Sequence, residues 1–272
     1  MTARLELPDG HPHVALVTID RPERRNSLDL EHFGHLANAW IRYRDDDELW
    51  TAIITGVDDV FCVGADLKSF VPMVTDQVEK LASGESVLGG DEFPDNAPLI
   101  AVLRDFTLYK PVIAAINGIC AAGGIEMLHS IDIRIASESA RFCIAEARRG
   151  LFPGGGSTVH LPRHIPYCHA MEMLLTADWI GAPQAYDFGM LNRVVPRDQV
   201  MESALEFADK IEKNGPCAIR AIKESVTRSL RMNLEDALGQ ELMYAAKVFA
   251  TEDAREGPRA FAEKRQPVWK GR

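Results

Sequence analysis

Residues 111–126 read Pro111-Val112-Ile113-Ala114-Ala115-Ile116-Asn117-Gly118-Ile119-Cys120-Ala121-Ala122-Gly123-Gly124-Ile125-Glu126. The continuous apolar run over 111–116 is typical of a strand that is buried on both faces, as strands of parallel sheets are. Glycines follow it and lead into a short helix, which we predict over 123–130. The stretch therefore predicts a strand, a glycine turn and a helix of an α/β fold.

The glycine-containing start of this helix can stabilise a developing negative charge. Glycine lets the backbone approach a ligand closely. The first N–H groups of a helix have no partner within the helix, and they lie at the positive end of its dipole. Glu126 falls in the first helical turn. We therefore predict an oxyanion hole with a carboxyl group beside it.

A second acid and a second tight turn add to this chemistry. Glu146 comes 20 residues after Glu126, and the strand predicted between them allows the chain to return beside the first helix. Two carboxyls at one electrophilic carbonyl can divide the work, one taking a proton and the other giving one. The turn at Gly64–Lys68 can supply another backbone N–H and a cation. Each feature alone is weak, since a Gly-Gly helix start often reflects close packing and a lone glutamate is usually a solvated surface residue.

Strands alternate with helices over most of the chain, which favours largely parallel pairing. The predicted strands are 13–20, 50–56, 111–116 and 131–136, with a short extended piece at 60–62. Helices are predicted from 28 to the acidic run at 45–48 and over 99–108. The segment 69–96 is rich in acids and glycines, with a helical pattern only around 74–81, and it is typical of a lid or a binding loop.

The last quarter of the chain is almost wholly helical. Its predicted helices are 200–213, 216–230, 233–250 and 252–264. We expect residues 1–197 to form the catalytic core, and residues 198–272 to cover part of that core and to contact another subunit.

Composition narrows the class of protein. The 272 residues are 46% hydrophobic and 26% charged, as in an ordinary soluble globular protein. The net charge of −10 argues against nucleic-acid binding. No apolar run suits a signal peptide or a membrane span, and the five cysteines lack the paired spacing of a metal site. We therefore expect a cytoplasmic protein without a metal site, a membrane segment or a nucleic-acid partner.

Taken together, these features resemble the crotonase (enoyl-CoA hydratase/isomerase) superfamily. The resemblance runs from Asp20-Arg21-Pro22 to the C-terminus. It rests on Gly64–Lys68, Lys110–Gly118, Gly123–Glu126, Phe142–Glu146, Gly150, Pro153–Gly156 and Glu252–Gly257 with Phe261 and Lys264. It implies a crotonase-like spiral of ββα units with a helical C-terminal region. It also implies that the protein forms a homotrimer or a dimer of trimers.

The resemblance also implies a reaction. It assigns the oxyanion hole to the N–H groups of Ala65 and Gly123, and it makes Glu126 and Glu146 the catalytic acids of a hydratase that adds water to a trans-2-enoyl-CoA. In that reaction Glu126 mainly activates the water and Glu146 supplies the proton to the α-carbon. No organic cofactor or metal is expected, because CoA is part of the substrate.

The resemblance further implies where the acyl-CoA substrate is held. The implied substrate- and CoA-binding residues, besides Ala65 and Gly123, are Arg24, Arg25, Ser27, Asp66, Leu67, Lys68, Phe261 and Lys264, the last two often acting from a neighbouring subunit. The run at 154–156 is expected to give room for the acyl chain and for the start of a helix. Nothing in the sequence places His129, His160, His164 or His169 near the two acids.

Two departures from the family pattern affect the predicted site. Many relatives have a third glycine where this chain has Ala122, and proline is common where it has Ala145. Neither change removes a carboxyl or an N–H donor. The segment 69–96 is longer than in compact relatives, which leaves the length and shape of the acyl group open.

Other functions remain open at this point. An enoyl-CoA isomerase moves a double bond and can work with one acid, so the presence of two favours hydration. Dehalogenases and carbon–carbon lyases of the same fold usually carry other residues at these positions. An acyl-CoA-binding protein without catalysis is the alternative from another class, and the retained pair of acids argues against it.

Overall fold

The computed structural model describes residues 3–83, 92–94 and 96–272. Within them the chain forms ten strands. These are Ala3–Glu6 (β1), Val14–Ile19 (β2), Thr51–Gly56 (β3), Val60–Cys62 (β4), Val112–Ile116 (β5), Ile119–Ala121 (β6), Ile133–Ser137 (β7), Arg141–Cys143 (β8), Ile180–Gly181 (β9) and Arg193–Val195 (β10).

The described residues also form twelve α-helices. These are Leu30–Asp45 (α1), Phe70–Asp76 (α2), Val78–Ala82 (α3), Ala97–Ala101 (α4), Gly123–Leu128 (α5), Ser157–His164 (α6), Tyr167–Thr176 (α7), Ala182–Asp187 (α8), Val200–Glu212 (α9), Pro216–Ser229 (α10), Leu234–Phe249 (α11) and Asp253–Ala262 (α12). Short 3-10 helices lie at Pro22–Arg24, Ala147–Arg149 and Arg197–Gln199.

The strands build two sheets, and successive chain segments contribute one strand to each. The larger sheet has the order β1-β2-β3-β5-β7-β10, and the smaller has the order β4-β6-β8-β9. Neighbouring strands in both sheets are parallel, except that β1 pairs antiparallel with β2 and β8 pairs antiparallel with β9. The pairs β3–β4, β5–β6 and β7–β8 therefore repeat as turns of a spiral, which confirms the α/β fold of ββα units.

The strand at 111–116 is the buried centre of this spiral. All five residues of β5 are inaccessible to solvent, which confirms the reading of its apolar run. Alternate side chains serve the two faces of the sheet, as strand geometry requires. Ile113 packs with Ala204 and Ala208 of α9, while Ala114 joins the core between the sheets and α1.

Two predicted segments differ from the structure. The helix expected over 99–108 ends at Ala101, because Leu103 adopts a left-handed backbone conformation with φ +57° that an α-helix cannot continue through. The segment 69–96 contains two short helices, α2 and α3, separated at Gln77. Its remaining part at 84–91 and 95 lies outside the described residues.

The four C-terminal helices are confirmed to within two residues at each end. The last strand, β10, ends before residue 198, as expected, although the division of the chain at that point stays a prediction. Across the described part of the chain, no helix has both the length and the apolarity that crossing a bilayer requires.

Candidate active site

Two backbone segments meet at the end of β6 and form the centre of the site. Gly64 adopts φ +84°, and a Cβ placed on it would lie 2.5 Å from the nitrogen of Gly123. A Cβ placed on Gly123 would in turn lie 3.1 Å from the Cα of Gly64 and 3.7 Å from the nitrogen of Ala65. Glycine at both positions therefore brings the N–H groups of Ala65 and Gly123 close together, which is the arrangement that an oxyanion hole requires.

Neighbouring hydrogen bonds hold this turn but leave the two donors free. The Leu28 N–H donates to the Gly64 carbonyl and the Asp66 N–H donates to the Leu28 carbonyl, both at 2.8 Å. Within the described part of the chain, neither the Ala65 N–H nor the Gly123 N–H donates a hydrogen bond. Unpaired N–H groups at such a position are available to a carbonyl oxygen that gains charge.

Ala122 carries backbone strain directly before the helix. It adopts φ +49° and ψ −121°, a region that residues with a Cβ rarely occupy. Its carbonyl accepts the N–H groups of Ile125 and Glu126, and its own N–H donates to Cys143. This conformation is the one that a glycine would adopt without strain.

Glu126 is a buried carboxyl with one defined partner. It is 8% exposed, and its Oε1 accepts a hydrogen bond from the Gly155 N–H at 2.6 Å. Burial and, to a smaller extent, the charge of Glu146 raise the pKa of Glu126 to about 7, against the opposite effects of the Gly155 N–H and Arg104. The carboxyl therefore holds or releases a proton close to neutral pH.

Glu146 lies close enough for its charge to act on Glu126, and it precedes the 3-10 helix Ala147–Arg149. Burial also raises the pKa of Glu146. Its Oε2 is buried and has no hydrogen-bond partner among the described residues. A buried oxygen without a partner is unfavourable unless a ligand or a water satisfies it, so this atom is available to a bound molecule.

Gly155 contacts the proposed acid, and no sequence motif predicts this contact. The run at 154–156 leads into α6, as expected, and within it the Gly155 N–H donates a hydrogen bond to Glu126. A Cβ on this residue would lie 2.2 Å from Glu126 Oε2, so any side chain here would displace the Glu126 carboxyl. The sequence contained the glycines but no signal for a pairing across 29 residues.

The residues implied in CoA binding fall into an exposed set and a buried set. Arg24 and Arg25 are exposed, and Arg25 lines a surface cavity of about 380 Å³ together with Asp58 and Asp59. Ser27 is buried, and its carbonyl and hydroxyl oxygens accept hydrogen bonds from the Arg21 guanidinium.

The turn that follows Ala65 likewise contains both exposed and buried residues. Leu67 and Lys68 are exposed, whereas Asp66 is buried in an ion pair with Arg21 at 3.0 Å. The Lys68 N–H also donates to Asp66 Oδ1 at 2.8 Å. Although burial raises the pKa of Asp66, the Lys68 N–H and Arg21 outweigh it and hold that pKa below its ordinary value. The Asp66 side chain thus fixes the shape of the turn.

Phe261 lies in the last turn of α12, and Lys264 follows the end of this helix by two residues. Phe261 is 87% exposed, and Lys264 is exposed with φ +54°. Among the described residues, no hydrogen bond or ion pair connects either of them to the turn at Ala65. The described residues likewise contain no group of three or more His, Cys, Asp or Glu side chains that could hold a metal ion.

Comparison with known proteins identifies the family. A sequence model described as enoyl-CoA hydratase/isomerase matches residues 9–272. The enoyl-CoA hydratase EchA19 of Mycobacterium tuberculosis is 41% identical over 98% of this chain and 96% of its own length. A carnitinyl-CoA dehydratase of Proteus mirabilis is 38% identical over 94% of each chain.

A solved structure agrees with these sequence matches. The enoyl-CoA hydratase of Bacillus anthracis superimposes with a TM-score of 0.89 at 34% identity and covers 100% of both chains. The spiral of ββα units, the glycine turn before Glu126 and the matches over nearly the whole length all lead to one assignment. The chain is an enzyme of the enoyl-CoA hydratase/isomerase family, the crotonase superfamily, which acts on acyl-CoA thioesters.

Proposed function

We propose that this enzyme is an enoyl-CoA hydratase that adds water across the α,β-double bond of a trans-2-enoyl-CoA. The observation that carries the proposal is the pair of carboxyls with raised pKa values, the buried Glu126 and the half-buried Glu146. The N–H groups of Gly123, at the start of the helix that bears Glu126, and of Ala65 beside it donate no hydrogen bond within the described residues.

The proposed reaction begins with the thioester oxygen accepting the N–H groups of Ala65 and Gly123. Glu126 takes a proton from a water whose oxygen bonds to the β-carbon. The π electrons of the double bond move toward the thioester, and the enolate charge develops on the oxygen held by the two donors. Because that charge exists in the transition state and not in the substrate, the donors lower the barrier to reaction.

The second half of the reaction returns the proton count to its starting value. Glu146 gives a proton to the α-carbon, and Glu126 keeps the proton that it took from the water. The pair of carboxyls therefore holds one proton again, as it did before the reaction. The charge of Glu146 raises the pKa of Glu126, so the pair retains one proton up to about pH 7. The two carboxyls titrate as a unit, and the site of the proton in the free enzyme does not decide which carboxyl acts as the base.

The presence of both acids favours hydration over the alternatives. Moving a double bond needs one group that shuttles a proton, whereas adding water needs one group for the hydroxyl and one for the α-carbon. The named relatives above are enzymes, and they give no support to a non-catalytic binding role. The chemistry needs only groups of the chain and its substrate, so we propose no organic cofactor and no metal.

We propose that the CoA portion lies along the exposed Arg24, Arg25, Leu67 and Lys68. Ser27 and Asp66 shape this surface through Arg21.

A neighbouring subunit completes the proposed CoA site. Helices α10 and α11 expose apolar side chains that one protomer leaves uncovered, namely Ile222, Val226, Leu230, Leu234, Leu238, Leu242, Met243 and Phe249. Exposed apolar surface of this extent marks an interaction site. We propose that a second and a third copy of the chain cover it in a homotrimer or a dimer of trimers, and that Phe261 and Lys264 reach the CoA of a neighbour.

The test follows the loss of the conjugated thioester absorbance of crotonyl-CoA and of a longer trans-2-enoyl-CoA. Wild-type enzyme should hydrate at least one of them, and Glu126→Gln and Glu146→Gln should each lower kcat about 10²- to 10⁴-fold. Glu138→Gln alters an exposed glutamate in the turn before β8 and should leave kcat unchanged.

The assay separates the alternatives as well. If wild-type enzyme converts a 3-enoyl-CoA to the conjugated isomer and hydrates neither substrate, the hydratase proposal is wrong and the enzyme is an isomerase. If it binds the thioesters and transforms none, the catalytic proposal fails altogether.

A further inference from the structure

Three imidazoles gather between α5 and α6, behind the proposed acid. His129 follows α5 three residues after Glu126, while His160 and His164 lie one turn apart on α6. The ring centroids are 5.7–5.9 Å from one another. In the sequence these histidines showed no relation to the acids, and it is the packing of α6 on α5 that brings them together.

Two hydrogen bonds connect the start of α6 to α5, and one of them reaches the proposed acid. The Gly155 N–H donates to Glu126 Oε1 at 2.6 Å. Two residues further on, Ser157 Oγ and His129 Nε2 are hydrogen-bonded at 3.1 Å. Residues three apart in a helix lie on one face, so Glu126 and His129 present one side of α5 to residues 155 and 157.

The Ser157–His129 bond is the interior one of the two. Ser157 is inaccessible to solvent and His129 is 8% exposed. Gly156 lies between the two bonded positions with φ +115°, a conformation that needs glycine, and its carbonyl accepts the N–H groups of Val159 and His160. The side-chain bond at Ser157 adds a direct restraint from His129 on the start of α6, and this restraint also acts on the Gly155 N–H two residues earlier.

The surroundings keep the cluster neutral. Burial lowers the pKa of His129 well below its ordinary value and that of His164 to about 4, and the pKa of His160 is lowered as well. The charged groups that act on the three rings are all cations, namely Arg104, Arg134, Arg163 and Arg231. A neutral imidazole offers one donor and one acceptor, which suits a permanent hydrogen bond better than proton transfer.

We propose that His129, through Ser157, is a positioning residue that holds the Gly155 N–H against the Glu126 carboxylate. The pair does not touch the reacting atoms, and its effect on turnover rests on the proposed hydratase function.

The proposal predicts a specific change when the bond is removed. The Gly155 N–H lowers the pKa of Glu126, so its withdrawal should raise that pKa by about one pH unit, as expected for losing a hydrogen bond to a charged group. The carboxyl would also move from its reacting position, and kcat should fall about 10-fold or more. KM should change little, because Ser157 and His129 lie beneath the site.

The variants separate positioning from general stability. Ser157→Ala removes only the hydroxyl, and His129→Leu removes the ring. His129→Gln places an amide nitrogen near the former Nε2 and should restore part of the effect. Thr51→Val is the matched control, since the Thr51 hydroxyl is also fully buried but has no partner among the described residues. Ser157→Ala keeps the test decisive if His129→Leu does not fold.

The readout is the pKa of Glu126 itself, followed by NMR of protein labelled with ¹³C at the glutamate carboxyl carbon and assigned with Glu126→Gln. A rise of the pKa in Ser157→Ala, with a fall in kcat and with neither in Thr51→Val, supports the proposal. An unchanged pKa in folded Ser157→Ala overturns it, even if the variant melts at a lower temperature. The titration needs no substrate, so a wild-type enzyme that hydrates nothing would sink the hydratase proposal and leave this measurement intact.

Discussion

Replacing Glu126 with Gln should make the protein more stable at alkaline pH. The side chain is 8% exposed, and burial raises its pKa to about 7 from an ordinary value of 4.5. Above pH 7 the folded protein must hold a buried negative charge near that of Glu146. Gln has the same shape, its amide oxygen can still accept the Gly155 N–H, and it carries no charge.

The magnitude follows from the two pKa values. Their separation corresponds to about 3 kcal/mol at 1.36 kcal/mol for each pH unit. A carboxyl with a raised folded-state pKa contributes stability that is present below the unfolded pKa and is lost as the pH rises through the folded pKa. The loss therefore falls between about pH 4.5 and pH 7, and about 2.5 kcal/mol of it lies between pH 5 and pH 8. Gln loses none.

The measurement is the melting temperature of wild type and Glu126→Gln at pH 5 and pH 8, at one protein concentration. The variant should gain about 5–10 °C relative to wild type on going from pH 5 to pH 8, at about 2–4 °C for each kcal/mol in a chain of this size. Glu138→Gln, at an exposed glutamate, should show no such gain. If the difference between Glu126→Gln and wild type is the same at both pH values, the carboxyl is not destabilised by burial and the reasoning is wrong.

Three further predictions follow from the same site. In wild type, kcat/KM for an enoyl-CoA should fall above about pH 7, because the carboxyl pair then loses its proton; a level profile to pH 9 would contradict this. Gly155→Ala places a Cβ 2.2 Å from Glu126 Oε2 and should lower kcat about 10²-fold. Gly154→Ala, whose Cβ meets nothing closer than 3.9 Å, should retain activity; equal kcat values for the two variants would show that the contact with Glu126 does not matter. Ala122→Gly should stabilise the protein by about 1 kcal/mol in denaturant unfolding, because the strain relieved at φ +49° exceeds the added entropy of the unfolded chain; a loss of stability would show that the position is not strained.

The sequence was informative wherever a local pattern determined structure. The apolar run before the glycines predicted β5, and the helix start after them predicted α5 with Glu126 in its first turn. Both outcomes depend on near neighbours along the chain. The long amphipathic helices α9 to α12 were predictable for the same reason.

Features that depend on distant contacts were not predictable. Strands β6 and β8 have three residues each, too few for a period to be read. The end of α4 depends on the left-handed turn at Leu103, whose carbonyl accepts the Ser130 hydroxyl from beyond α5. The bond from Gly155 to Glu126 and the ion pair of Arg21 with Asp66 join residues 29 and 45 positions apart, and no local pattern encodes such pairings.

The groups that the proposed chemistry uses are also groups that the folded chain leaves without partners. Among the described residues, the N–H groups of Ala65 and Gly123 donate to nothing, and Glu146 Oε2 accepts nothing. Each such group destabilises the fold when buried. A donor already bonded within the protein, however, could not stabilise charge that develops on a substrate. Substitutions that satisfy or neutralise these groups should therefore raise stability as they lower turnover, and Glu146→Gln tests both effects in one variant.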